Sequence, residues 1–81
     1  MPHEPVDQAV REIFAAVVQR EVAPGADVAR EEEPAWDSLK HMEMMFAIEE
    51  RCGVQFTQEE LGGLDRISAI VERVKSHLGE S

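Results

Sequence analysis

The stretch Trp36-Asp37-Ser38-Leu39-Lys40-His41-Met42-Glu43 opens the most apolar run of the chain, and the fold is read outward from it. Pro34 lies just before it and Asp37 carries a short carboxylate suited to capping, so the first turn of a helix is expected to begin at Ser38. A hydroxyl at that place has an unusual option. The unpaired N–H groups of a first turn and the positive end of the helix dipole favour a phosphate ester on its oxygen. A small residue tolerated in a first turn explains the same tripeptide, so the surrounding chain decides between the two.

From Ser38 the helix is expected to run to about Cys52. Leu39, Met42, Met45, Phe46 and Ile48, widened by Met44 and Ala47, make an apolar face broader than one stripe. Such a helix touches two or more other elements and is expected to be central, with Glu43, Glu49 and Glu50 on its wet side and Gly53 stopping it. Upstream, Val6, Val10, Ile13, Phe14, Val17 and Val18 recur at spacings of three and four, which predicts a first helix from Val6 to about Val22. Pro24-Gly25 breaks that pattern. The segment to Trp36 is expected to be a long loop with Val28 and Ala29 turned inward, Glu31, Glu32 and Glu33 exposed, and Pro34 and Trp36 pinning its end.

Downstream, Val54-Gln55-Phe56 alternates like a strand but has no partner strand, so it reads as a connector whose Val54 and Phe56 plug the core. Thr57-Gln58-Glu59-Glu60 has the pattern of a capping box, and Gly62-Gly63 closes a short third helix. Asp65 is expected to cap the last helix, whose Ile67, Ile70, Val71, Val74 and Leu78 keep one stripe until Gly79. The fold class that follows is all-α: a small antiparallel four-helix bundle of three longer helices and one short third helix, with a long first loop.

Composition sets bounds on function. At 81 residues the chain is one small domain, too small for a deep catalytic cleft. One Trp and no Tyr leave the core to aliphatic residues and Met. A single cysteine, Cys52, excludes an internal disulfide framework, and no Cys/His spacing suits structural zinc, so no metal is expected. Cys52 itself reads as a packed thiol. No apolar run is long enough for a membrane span, and Met1-Pro2-His3-Glu4 lacks the basic and apolar regions of a signal peptide, so a soluble, cytoplasmic protein is expected. Met1 and the short tails favour a free-standing protein.

Formal net charge is −9, and its placement is uneven. From Asp27 to Glu60 ten acids face Arg30, Lys40 and Arg51, a net of −7, whereas the segment from Leu61 onward is neutral. Such a field repels nucleic acid and anionic membranes and steers basic protein surfaces toward the Ser38 helix. His41 stands one turn from Ser38, but both residues are expected on a helix surface with no oxyanion hole or third partner in reach, which argues against a hydrolase.

Together, Asp37-Ser38-Leu39 at the start of a central acidic helix, a long first loop and a short third helix resemble the acyl carrier protein family. The resemblance runs from about Val6 to Leu78 and is most specific from Trp36 to Glu50, followed by Gly53-Val54-Gln55-Phe56. It implies a single acyl-carrier-like domain over residues 1–81 that is not an enzyme. Ser38 would receive a 4′-phosphopantetheine arm from coenzyme A through a phosphopantetheinyl transferase, flanked by Asp37 and Leu39, and the arm's thiol would hold an acyl group as a thioester. Leu39, Glu43, Glu49 and Glu50 match the family's recognition helix, implying acyl-loading and acyl-transfer or synthase partners with basic docking surfaces. Met44 and Ile48 match positions that in many relatives face an acyl cavity, with Leu64 and Ile67 as candidates for its other side.

Where many fatty-acid carriers have Gly before the Asp-Ser-Leu, this chain has Trp36, and Lys40-His41 adds basic character. The Trp beside the attachment serine looks more like the small discrete carriers of specialised metabolism, such as polyketide biosynthesis, and both departures argue against fatty-acid synthase enzymes as partners. A monomer is expected. The alternatives are a peptidyl or aminoacyl carrier of nonribosomal peptide synthesis, which shares the bundle and the serine, and a helical interaction module that carries no cofactor.

Overall fold

The computed structural model describes residues 5–23 and 25–79. The readings of Met1-Pro2-His3-Glu4 and of the break at Pro24 lie outside the described residues. Among these residues four α-helices follow one another: α1 (Val6–Val18), α2 (Ser38–Cys52), α3 (Gln58–Gly63) and α4 (Ile67–His77), with a 3-10 turn at Arg30–Glu32 between the first two. Among the described residues there is no strand, only one isolated bridge between Ala29 and Arg66. The all-helical expectation therefore holds, and Val54 and Phe56 are buried from an irregular connector, as their spacing suggested.

α1 packs on both α2 and α4. One core joins Val10, Ile13 and Phe14 of α1, Met44, Met45 and Ile48 of α2, and Ile67, Ile70, Val71 and Val74 of α4, with Val28 and Trp36 added from the first loop. Burying these side chains is the main stabilising term for so small a domain.

Several elements end or turn differently from the sequence expectation. α1 stops at Val18, four residues early, because Gln19 enters the left-handed region (φ 57°) and its N–H bonds to Ala15 O. Val22 still reaches the core from the loop, half-buried, while Leu78 just past α4 is largely exposed. Within α2, Leu39, Met42 and Phe46 are exposed, so the helix shows apolar residues on two sides rather than one wide buried face.

The cap of α4 is also not Asp65. Arg66 occupies the N-cap position in extended conformation, and its side chain makes no capping bond to the first-turn amides. Asp27, thirty-eight places earlier in the chain, does the work: its Oδ1 accepts from Ser68 N–H at 2.9 Å, and its Oδ2 accepts from the Ser68 hydroxyl at 2.9 Å and from Arg66 Nη1 at 3.0 Å. Ile67 N–H donates to Val28 O at 3.1 Å in the same place. The first two amides of the helix, of Ile67 and Ser68, are thus met by the loop. Burial by itself would raise the Asp27 carboxyl, but the Ser68 donors and the Arg66 guanidinium outweigh it and hold Asp27 below the usual carboxylate range.

The expected capping box at α3 is present. Glu60 N–H donates to Thr57 Oγ1 at 3.1 Å and Thr57 N–H to Glu60 Oε1 at 2.8 Å. The Thr57 amide comes first among the groups that hold Glu60 below the usual range; burial opposes it, and His77 and Arg73 add to it. His77 Nε2 lies 2.9 Å from Glu60 Oε2, which ties α3 to the end of α4.

Candidate functional site: the start of helix α2

Ser38 is the first residue of α2 and is exposed. Asp37 caps the helix as its sequence suggested, Oδ1 accepting from Lys40 N–H at 2.9 Å while His41 N–H donates to Asp37 O at 2.8 Å. The hydroxyl has a second neighbour that the sequence did not single out. Arg30 Nη2 donates to Ser38 Oγ at 3.2 Å, and Arg30 Nε donates to Trp36 O, also at 3.2 Å. Arg30 stands eight residues upstream, at the start of the 3-10 turn Arg30–Glu32, where no shared helical or strand period links it to position 38.

What holds this corner in place is Trp36. Its ring is 2% exposed and meets Phe14 edge-on at 5.5 Å. Its Nε1–H donates to His41 Nδ1 at 3.0 Å, and His41 Nε2 lies 2.7 Å from Leu61 O. An imidazole that accepts at Nδ1 and meets a carbonyl at Nε2 is satisfied by the neutral tautomer protonated at Nε2. The indole is buried, its carbonyl binds Arg30, and two residues later the chain emerges to expose Ser38.

His41 is therefore not on the helix surface, as the sequence suggested, but 6% exposed inside it. Both ring nitrogens are engaged with Trp36 and Leu61, which leaves neither to deprotonate the Ser38 hydroxyl. The amphipathic period misplaced it because Trp36 and the α3 carbonyl supply polar partners that turn a His inward.

The residues expected to recognise partners divide. Leu39 (66% exposed), Glu43 and Glu50 lie on the outer side of α2, and Met42 and Phe46, the latter 58% exposed, join them. At positions 39, 42, 43, 46 and 50 the spacing of three and four gathers one face. Glu49 departs from it. It is half-buried, and its Oε2 accepts from Phe56 N–H at 2.8 Å, so it fastens the connector after α2 rather than standing on the wet side.

Met44, Ile48, Leu64 and Ile67, the expected acyl-pocket residues, come together in one closed core in which none is more than 4% exposed. A surface depression elsewhere, lined by Pro5, Gln8, Arg11, Ala15 and Val22 among others, includes none of them, and two others beside α3 and α4 reach Leu64 but not Met44, Ile48 or Ile67. Cys52 is half-buried against the core. Among the described residues no cluster of three or more His, Cys, Asp or Glu is arranged to hold a metal ion, and no helix is long and apolar enough to cross a membrane. Comparison with protein-family models, curated proteins and solved structures returns no match for this chain.

Proposed function

We propose that this protein is an acyl carrier that bears a 4′-phosphopantetheine arm on Ser38 and presents acyl intermediates to partner enzymes of polyketide or related specialised biosynthesis. The observation that carries the reading is the exposed Ser38 hydroxyl at the first residue of a helix whose N-cap, Asp37, is made by its own side chain, with a guanidinium 3.2 Å from the oxygen. The donor set suits a phosphate ester: Arg30 supplies a charged planar donor, and solvent lies on the other side. Thioester chemistry at the arm's thiol would come from the cofactor. The chain's own part is to expose the oxygen, keep the attachment corner rigid through Trp36 and offer a docking face.

The rest of the reading is a single antiparallel bundle acting in the cytoplasm, as a monomer, without catalytic groups of its own. Leu39, Met42 and Phe46, ringed by Glu43 and Glu50, would meet a partner surface with an apolar centre and basic rim, such as that of a phosphopantetheinyl transferase or an acyl-loading enzyme. Docking through exposed charges is weak and salt-sensitive, which suits a carrier that must leave after each transfer. A peptidyl or aminoacyl carrier would share every one of these features except the cargo.

The same exposed apolar face favours a second reading, a helical interaction module that bears no cofactor. Incubation with coenzyme A and several phosphopantetheinyl transferases separates the two. A mass gain of one phosphopantetheine, absent in Ser38→Ala, is expected of the carrier. An unchanged mass under all transferases would leave the interaction module.

A further inference from the structure

We propose that Arg30 is a positioning residue that pairs with the phosphate attached at Ser38 and so fixes how the arm leaves the protein. The inference rests on the carrier reading and deepens it by assigning the phosphate a protein partner.

The acidic loop around Arg30 would be expected to neutralise it, and does not. Glu32 turns back to accept from Ala29 N–H at 3.0 Å. Glu33 is occupied on both oxygens, by Arg20 Nη1 at 2.8 Å and by Ala35 N–H at 3.1 Å. Asp65 meets Arg30 only through its backbone carbonyl, which accepts from Arg30 N–H at 2.7 Å. Asp37 is committed to the cap of α2. Among the described residues no carboxylate lies within ion-pairing distance of the Arg30 guanidinium, although three glutamates follow it directly in the chain.

What the guanidinium has instead are two neutral acceptors, Trp36 O and Ser38 Oγ, each at 3.2 Å. Both contacts are at the long end for N–H···O bonds, and a guanidinium carries five donors, so capacity remains. A phosphate on Ser38 Oγ would bring anionic oxygens to the group that now touches the hydroxyl. Charge-assisted contacts of Arg to phosphate are shorter and about twice as strong as neutral ones. The side chain is already half-buried and held at Nε by Trp36 O, so little rotamer freedom is left to lose.

Its backbone is held as firmly. Arg30 follows Ala29, which bridges to Arg66, and its own amide is bonded to Asp65 O, so the loop that delivers the guanidinium is stapled to the approach to α4. Lys40, in the first turn of α2, faces Glu43 at 3.9 Å. Arg30 is thus the base that the structure sets beside the oxygen.

The test loads wild type, Arg30→Gln and Arg30→Lys with coenzyme A and a transferase of broad specificity, follows intact mass, and records the Arg30 Nε–H and the phosphorus resonances by NMR. In wild type, loading is expected to shift the Arg30 Nε–H signal and to raise the melting temperature, with the rise shrinking at high salt. In Arg30→Gln the phosphorus resonance should move and the rise on loading should vanish, and Arg30→Lys should recover only part of it. An Arg30 Nε–H signal unmoved by loading would overturn the proposal while leaving the carrier reading intact, and this readout needs no variant to fold. No mass gain in wild type would overturn both.

Discussion

Helices α4 and α2 carry large apolar residues in similar proportion, four of 11 and six of 15, and use them in opposite ways. Ile67, Ile70, Val71 and Val74 of α4 are all buried, and the polar residues between them cover the outside. Helix α2 buries Met44, Met45 and Ile48 but leaves Leu39, Met42 and Phe46 in water. Apolar content alone therefore does not measure what a helix contributes to the core. One face of α2 belongs to the fold, and the other stands in water. The two helix starts differ in the same sense: α4 is capped by Asp27 from a distant loop, whereas α2 caps itself and holds Ser38 outward.

The comparison can be broken by mutation. Ile70→Ala, at a fully buried position of α4, is expected to cost about 2–4 kcal/mol in urea unfolding, since it leaves a cavity among well-packed neighbours. A loss below that range would mean that the α4 stripe is not the core it is drawn to be. His41→Ala should cost about 1–3 kcal/mol, because Trp36 Nε1–H and Leu61 O lose their partner inside the protein. Tryptophan fluorescence should report the change at Trp36 directly.

Asp27→Ala removes the remote cap of α4 and is expected to cost about 0.5–2 kcal/mol in the same assay. The cap also predicts a pH dependence. Asp27 and Glu60 titrate lower in the folded than in the unfolded chain, so their contribution is complete above the unfolded carboxylate pKa. It is lost as pH falls through the lower, folded values. The melting temperature should drop on acidification below the ordinary carboxylate range, and less steeply in Asp27→Asn than in wild type. Equal slopes would remove Asp27 from the account.

The smallest expected effect on folding sharpens the contrast most. Phe46→Ala should change stability by no more than about 0.5 kcal/mol, since the ring is mostly in water. The same substitution, like charge reversal at Glu43, is expected to slow modification by a transferase while the helical circular dichroism stays unchanged. A large loss of stability in Phe46→Ala would place that ring in the core after all.

Much of this was legible from the chain because local rules governed it. The start of α2 at Ser38, the Asp37 cap, the Thr57–Glu60 box and the stop at Gly53 each depend on residues within a few positions of one another. What could not be read depended on partners beyond one helical turn, from Trp36 five residues before His41 to Asp27 forty-one residues before Ser68. Asp27 displaced Asp65 as the cap of α4, Glu49 was drawn to the Phe56 amide, and His41 was turned inward by Trp36 and Leu61. Arg30 was invisible for the same reason, since it reaches Ser38 across a loop without periodicity. The wide apolar face of α2 predicts a wider contact with the rest of the fold than the helix makes, because spacing alone does not distinguish a side covered by the same chain from one left open.

The central claim concerns one oxygen, and peptide fragmentation of the protein after incubation with coenzyme A and a transferase tests it most directly. The chain has four serines, at 38, 68, 76 and 81, and Ser68 already binds Asp27 through its hydroxyl. The account predicts that the arm is found on the peptide containing Ser38 and on no other. An arm mapped to Ser68 or Ser76, or a fully unmodified Ser38 peptide, would contradict it.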